Sequence, residues 1–263
     1  MDVPSLSIVT PCLNAAGTLE TALESVRSQG YPKLEHIVVD GGSNDGTVEI
    51  LERAEGVRFI SEPDRGLSDA MNKGVRMATG ELVGWLNADD VYLPGALRRV
   101  GEEFARHPEA MWGFGRCPII DGNGNEIRTA VTAYKDFFLR RWSFPLHLVQ
   151  NFVSAPGTFV RREAFDRVGM FDERFRYSMD YDFWLRLGRQ GWRPLFIDEE
   201  IAAFRMAPGS LSMSGFETQF VEHAENAREH GAGHPVAVGA NVVISRLIPA
   251  VYRGMRYLRE RGA

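Results

Sequence analysis

Cysteine is almost absent. Cys12 and Cys117 are the only two among 263 residues, which excludes a disulfide scaffold, leaves room for one bridge at most, and fits a reduced, cytosolic setting. A basic excess is missing too. Against 35 Asp and Glu stand 30 Lys and Arg, a formal charge of -5, so nucleic acid is not expected as the main partner. No long apolar run occurs, and the N-terminal MDVPSLSIVT carries no basic stretch leading into an apolar one. Neither a signal peptide nor a membrane span is expected, and the chain reads as soluble or attached at most to a membrane surface. Two nucleotide-binding spacings are lacking as well. The loop Gly41–Gly46 has neither GxGxxG nor GxxxxGK spacing, and its glycines serve equally well for a sharp turn with positive φ. The DGNGN stretch, Asp121–Asn125, lacks the twelfth-position glutamate and helical flanks of a calcium loop and reads as a turn between two strands.

What is present is a strand–helix alternation. Hydrophobic residues make up 44% of the chain, enough for one substantial core or one core with an elaborated half. Strands are expected over Leu6–Thr10, His36–Asp40, Val57–Ile60 and Leu82–Leu86. Helices are expected over Gly17–Ser28, Thr47 to Ala54, Asp69–Ala78 and Gly95–Ala105. This order predicts an α/β fold with a mostly parallel sheet and helices on its faces. In such sheets ligands sit beyond the C-terminal strand ends. Pro11–Asn14, Asp40–Asp45, Glu62–Gly66 and Asn87–Asp90 therefore gather at one rim.

The stretch LVGWLNADD, Leu82–Asp90, is the most suggestive. A buried strand ends abruptly in Asn87, Ala88, Asp89 and Asp90, and hard divalent cations take oxygen ligands there alongside substrate phosphates. The same acids also suit an ordinary loop or a helix cap. The second half departs from the alternation. Met111–Cys117 and Phe196–Ile201 read as strands, and a loop leads into a short strand over Thr158–Val160. Helices are expected over Arg161–Val168, Asp180–Arg189 and Phe216–His230, and a polar connection carries Arg205, Ser210 and Ser212. The aromatic, basic run Phe137–Phe144 suits core packing or an acceptor-side segment. Asp180 and Asp182, two apart on one helix, face different ways, so at most one is expected to do chemistry. The tail His234–Arg261 joins an apolar run to a basic end. A helix there suits acidic lipid, packing on its own domain, or a second subunit, but it is too short and interrupted to span a bilayer.

Five segments, SIVTPCLNAAGTL, VVDGGSNDGT, SEPDRGLSDAMNKG, GWLNADD and MDYDFWLRL, occur in the order found in family 2 glycosyltransferases of the GT-A type, which the chain resembles over about its first 210 residues. The resemblance implies a Rossmann-like sheet with a smaller acceptor-side portion. It divides the chain into a catalytic domain over 1–215 and a helical extension over 216–263. Within the domain, 1–110 is the nucleotide-sugar half and 111–215 the acceptor half. It implies a UDP-, GDP- or dTDP-sugar donor, a glycan or lipid-linked acceptor, inverting transfer, and Mg²⁺ or Mn²⁺ as cofactor. The setting implied is cell-surface polysaccharide or glycolipid synthesis, cytoplasmic or peripheral on the inner face of the cell membrane. Donor contacts are implied at Pro11, Asn14, Asp40 and Asp64, with Arg65 and Asp69 beside them.

Two positions depart from the family pattern. The first acid of its acid–any–acid metal motif is Asn87 here, so the metal role falls to Asp89, with Asp90 in reserve and Asn87 and Ala88 beside the donor. The glutamate before the family's catalytic aspartate is Met179, which leaves Asp180 as the implied base and Asp182 as the second choice. Arg205–Ser212 resembles the family's closing loop, where Arg205 and Ser210 would face diphosphate, and the histidine often found there is lacking. Asn87 and Met179 keep open a non-catalytic nucleotide-sugar-binding or scaffold protein. Nucleotidyl transfer is disfavoured by the lack of a basic, glycine-rich N-terminal loop.

Overall fold

The computed structural model describes residues 2–206 and 215–261, with side chains through residue 250. The first half alternates as the periodicity predicts, through β1 (Leu6–Cys12), α1 (Leu19–Arg27), β2 (Leu34–Asp40), α2 (Thr47–Arg53), β3 (Val57–Ser61), α3 (Leu67–Met77) and β4 (Leu82–Trp85). A two-residue strand β5 (Val91–Tyr92), α4 (Ala96–Arg106) and β6 (Trp112–Arg116) follow. Then come β7 (Ile119–Ile120), β8 (Glu126–Ile127), α5 (Thr129–Leu139), α6 (Phe144–Val149), β9 (Thr158–Arg161), α7 (Arg162–Val168) and α8 (Met179–Arg189). The chain finishes with β10 (Leu195–Glu200), β11 (Ala202–Arg205), α9 (Phe216–His230) and α10 (Pro235–Arg261).

The main sheet has seven strands in the order β10-β6-β9-β4-β1-β2-β3. β4, β1, β2 and β3 run parallel, as do β6 and β10, while β9 is antiparallel to both its neighbours. Every residue of β1 is buried, as expected for a parallel strand covered on both faces. Val9 joins Ala70, Met71 and Val75 of α3 and Phe183, Trp184 and Leu187 of α8 on one face. Leu6 and Ile8 join Ala22 and Val26 of α1 and Leu97, Val100 and Phe104 of α4 on the other. The antiparallel insertion of β9 depends on Gly84, since a Cβ there would meet the Phe159 ring at 2.7 Å.

A smaller sheet, β5-β11-β7-β8, sits beside the main one. It holds the DGNGN turn between β7 and β8, as expected. It also overturns one expectation: Arg205 is not in a polar connection but closes β11, which pairs with β5 and β7. Ser210 and Ser212 lie outside the described residues. In the aromatic run, Phe138 and Trp142 pack on the core while Phe137 stays exposed, so one face is core and the other is not. Both cysteines are free and buried in different clusters, so the one bridge left open does not form.

α10 packs on its own domain through Ala237 and Asn241. Asn241 Nδ2 donates to the Val149 carbonyl at 3.1 Å. Val236, Val243 and Leu247 remain exposed on the helix. No helix among the described residues is long and apolar enough to cross a membrane.

Candidate active site

Parallel register sets the site. Cys12 pairs with Asp40, Asp40 with Ser61, and Val9 with Trp85, so β1, β2, β3 and β4 release their exit loops at one edge. A cleft of about 600 Å³ opens there. Of the residues singled out from sequence, it brings together Pro11, Asn14, Asn87, Ala88 and Asp89 from the first half with Asp180 from α8. A second hollow of about 560 Å³ lies near α1, α2 and the starts of β2 and β3. That is the N-terminal strand end, which open α/β sheets do not use for ligands.

The loops after β1 and β2 are pinned to each other. Asn14 N–H donates to Ser43 Oγ at 2.7 Å, Asn44 N–H to Asn14 Oδ1 at 3.0 Å, and Ala15 N–H to Thr47 Oγ1 at 2.8 Å. Asp45, not Asp40, accepts the Thr47 N–H that opens α2. Asp40 is fully buried and does not line the cleft. Its oxygens accept from Gly42 N–H, Ser43 N–H and the Ser43 and Ser61 hydroxyls. Burial pushes its carboxyl up, but these donors outweigh burial and hold it below the usual range. The Asp64 carboxylate fills the space that a side chain at Gly41 would take. Asp69 is buried, and Arg65, beside it, holds its carboxyl below the usual range. Arg65 also pairs with Glu173 at 3.0 Å. Asp64, Arg65 and Asp69 stand outside the cleft lining.

The loop after β4 divides its acids. Asn87 Oδ1 accepts the Trp85 indole N–H at 2.7 Å, and Asn87 Nδ2 donates to Asp90 at 2.8 Å. Asp90 is fully buried behind the cleft and accepts Arg205 N–H at 2.8 Å. Burial, then the neighbouring Asp89 charge, pushes its carboxyl well up. Its surroundings make it a strut between two elements. Arg205 likewise does not face the cleft: its guanidinium donates to the carbonyls of Asp89, Asp121 and Gly122 at 2.8–3.0 Å. Asp89 is left as this loop's carboxylate in the cleft.

At the facing wall, Asp180 sits in the first turn of α8. Its Oδ1 accepts Tyr181 N–H at 2.7 Å and its Oδ2 accepts Asn151 Nδ2–H at 3.2 Å. Burial pushes its carboxyl up to about 6 despite those donors. Asp182 points elsewhere, as the two-residue spacing predicts. It is buried between Arg186 at 2.8 Å and His230 at 2.7 Å, outside the cleft lining.

Helix α9 fixes the approach to this turn. Glu222 accepts Arg176 N–H at 3.1 Å, Tyr177 N–H at 2.8 Å and the Ser178 hydroxyl at 3.0 Å. It ties down the segment leading into α8 from another element, and the N-cap Ser178 spends its hydroxyl on Glu222 and makes no side-chain cap hydrogen bond. Glu222→Ala leaves three donors without their acceptor. It is expected to cost about 2–4 kcal/mol, read as a lower urea midpoint; an unchanged midpoint would remove this role.

Sequence reasoning missed Arg128, Lys135, Asn151, Arg176 and His223, all of which line the cleft. Lys135 Nζ donates to Ser154 Oγ at 3.1 Å, and burial lowers its ammonium below the usual value. His223 is buried, its Nε2 has no partner among the described residues, and burial lowers it to about 4. One signal is conformational. Asn14 and Arg128 are the non-glycine residues at positive φ among those described, 51° and 53°, and both line the cleft. Such backbone costs on the order of 1–2 kcal/mol for an L-residue and gathers at ligand clamps. It is invisible in composition.

The description Glycosyl transferase family 2 matches residues 7–169. The chain belongs to glycosyl transferase family 2. A PGL/p-HBAD biosynthesis glycosyltransferase of Mycobacterium bovis (strain BCG / Pasteur 1173P2) is 32% identical over 192 residues, 71% of this chain and 70% of that protein. An uncharacterized glycosyltransferase of Rickettsia felis is 26% identical over 221 residues, 80% of this chain. The match spans 36% of that longer protein. Two solved structures share the architecture. The mannosyltransferase PcManGT from Pyrobaculum calidifontis, in complex with GDP-Man and Mn2+, aligns with TM-score 0.69 at 19% identity, over 97% of this chain and 76% of that one. S. aureus TarS 1-349 in complex with UDP-GlcNAc aligns with TM-score 0.67 at 18% identity, over 84% and 66%. The fold is thus the GT-A type. Asp89 lies inside the family 2 match, while Asp180 and α9 lie beyond it.

Proposed function

We propose that this glycosyltransferase moves a sugar from a UDP-, GDP- or dTDP-sugar to an acceptor hydroxyl with inversion at the anomeric carbon, in cell-surface glycan or glycolipid synthesis. The supporting observation is that one cleft holds both Asp89, from the sheet edge, and Asp180, from the first turn of α8. The Mycobacterium bovis relative, named for PGL/p-HBAD biosynthesis, supports the glycolipid setting.

Asp180 takes the proton of the acceptor hydroxyl, whose oxygen attacks the sugar from the face opposite the diphosphate. The base has to lie within about 2.6–3.2 Å of that oxygen, directly or through one water. Arg128, Lys135 and Arg176 put positive charge around the leaving diphosphate. The divalent ion implied by the fold fits only in part on protein ligands. Among the described residues no group of three or more His, Cys, Asp or Glu side chains gathers, and Asn87 is committed to Trp85 and Asp90. Mg²⁺ is commonly held by one or two carboxylates with substrate phosphates completing the shell, and Asp89 fits as the one carboxylate. When bound, the ion would draw charge from the diphosphate as it departs.

Melting temperature across UDP-, GDP- and dTDP-sugars, with and without Mn²⁺, tests the donor class, because a selective ligand raises it by mass action. A selective donor whose nucleoside diphosphate is released supports sugar transfer. Pyrophosphate release, or no response to any sugar nucleotide, would overturn it. Turnover has its own pH signature. Asp180 works as a base only when ionised, so kcat is expected to fall as pH drops through about 6 and to level above it. A flat kcat across that range would count against the assignment.

A further inference from the structure

Asp180 is the end of a hydrogen-bond chain whose direction is fixed at its other end. The Trp142 indole N–H lies 3.1 Å from His147 Nδ1, His147 Nε2 lies 3.4 Å from Asn151 Oδ1, and Asn151 Nδ2 lies 3.2 Å from Asp180 Oδ2. An indole can only donate. His147 Nδ1 therefore accepts, and the proton of the neutral ring sits on Nε2 and points at Asn151. Neutrality is enforced by burial: the His147 ring is fully buried, stacked near Trp112 and beside Phe152 and Tyr181. Val153 N–H reaches the same Asn151 oxygen at 3.3 Å. Turning the Asn151 amide over would put its NH₂ against two donors and leave its oxygen facing the Asp180 carboxylate. Only one orientation is satisfied, and it presents an N–H to Asp180.

Building on the assignment of Asp180 as base, we propose that Asn151 is a positioning residue, its amide oriented by His147 and through it by Trp142, that aims the Asp180 carboxylate and favours its ionised form. With Tyr181 N–H on Oδ1, each oxygen is held by one donor. The remaining lone pairs are left for the incoming hydroxyl. A donor to a carboxylate stabilises the charged form, so Asn151 opposes the burial of the same group. The Tyr181 phenol, buried beside Asp180, donates to the carbonyls of His147 and Leu148 at 2.9 Å, and the Cys12 thiol shares the cleft. Lys135 of α5 acts on Asp180 electrostatically and is tied to Ser154. His223 of α9, Arg128 at the start of α5, Arg176 and Tyr177 before α8, and Asp89 after β4 share the cleft. None of these hydrogen-bonds the Asp180 carboxylate among the described residues.

The test needs no donor or acceptor. In protein labelled with 13C at aspartate carboxyls, the Asp180 signal is the one lost in Asp180→Asn, and its midpoint is followed by pH titration. Asn151→Ala and the similarly shaped Asn151→Leu are expected to raise that midpoint by about one pH unit or more, the loss of a hydrogen bond to a charged group. His147→Phe frees the amide to turn and is expected to move the midpoint the same way, and His147→Gln, which keeps a donor toward Asn151, to restore it. An unmoved midpoint in folded Asn151 variants would overturn the proposal. Failure of the underlying assignment reads differently: Asp180→Asn would then keep wild-type nucleoside diphosphate release, whatever the titration shows.

Discussion

Asp180→Asn is expected to lower turnover by about 10²–10⁴-fold, the usual range for removing a general base, while donor affinity changes little. The substitution keeps size and position but takes away the site that receives a proton. Two opposing effects on stability go with it. Both oxygens of Asp180 face N–H donors, from Tyr181 and Asn151, so an amide has to set its own NH₂ against one of them. That mismatch costs about 1–3 kcal/mol, but removing a charge that burial disfavours offsets it, so the melting temperature is expected to change little. Donor affinity by calorimetry and turnover by nucleoside diphosphate release separate binding from chemistry. Wild-type turnover in the folded variant would take Asp180 out of the chemistry. Asp182 does not offer a substitute, because Arg186 and His230 enclose it in the interior. The separation follows from the helix itself: residues two apart point about 200° from each other.

The part of the fold that was legible is the part where each strand has one simple environment. β1, β2 and β4 are buried on both faces and read as apolar runs, and loops rich in Gly, Asn and Asp mark their ends. The rule about C-terminal strand ends then gathered Pro11, Asn14, Asn87 and Asp89 correctly. Illegible was how each polar side chain spends its hydrogen bonds. Asp40, Asp90 and Arg205 stand where ligand contacts are expected, yet each is committed to partners of its own chain. Whether an acid is free or spent depends on atoms contributed from distant segments, such as Arg205 N–H, 115 residues from Asp90. The opposite wall was harder still. Lys135 comes from α5, of whose eleven residues only Thr132 and Leu139 are buried, Asn151 from an irregular link, and His223 from a helix beyond the family 2 match. β11 was hidden because four residues, pairing with strands of two residues each, carry no alternation to detect.

Asp89→Asn is expected to reduce turnover by about a hundredfold or more, the equivalent of roughly 3 kcal/mol in the barrier, and to raise the Mn²⁺ concentration needed for half-maximal rate by at least about tenfold. The reasoning rests on what surrounds this carboxylate. Asn87 already replaces a charge at the first position of the motif, and Asp90 is sealed behind it. Neutralising Asp89 therefore strips the loop of its remaining carboxylate in the cleft. The fold has little reason to change, because Arg205 grips the backbone carbonyl of Asp89 and not its side chain. Burial also pushes the Asp89 carboxyl up, so its neutral form is already the cheaper one without a cation nearby. A melting temperature at or above that of the wild type without ligand, combined with a weaker Mn²⁺-dependent stabilisation by the sugar nucleotide, would locate the loss in the metal–diphosphate complex. Unaltered Mn²⁺ dependence and unaltered rate together would show that the diphosphate is neutralised elsewhere, with Arg128, Lys135 and Arg176 the basic side chains that line the cleft.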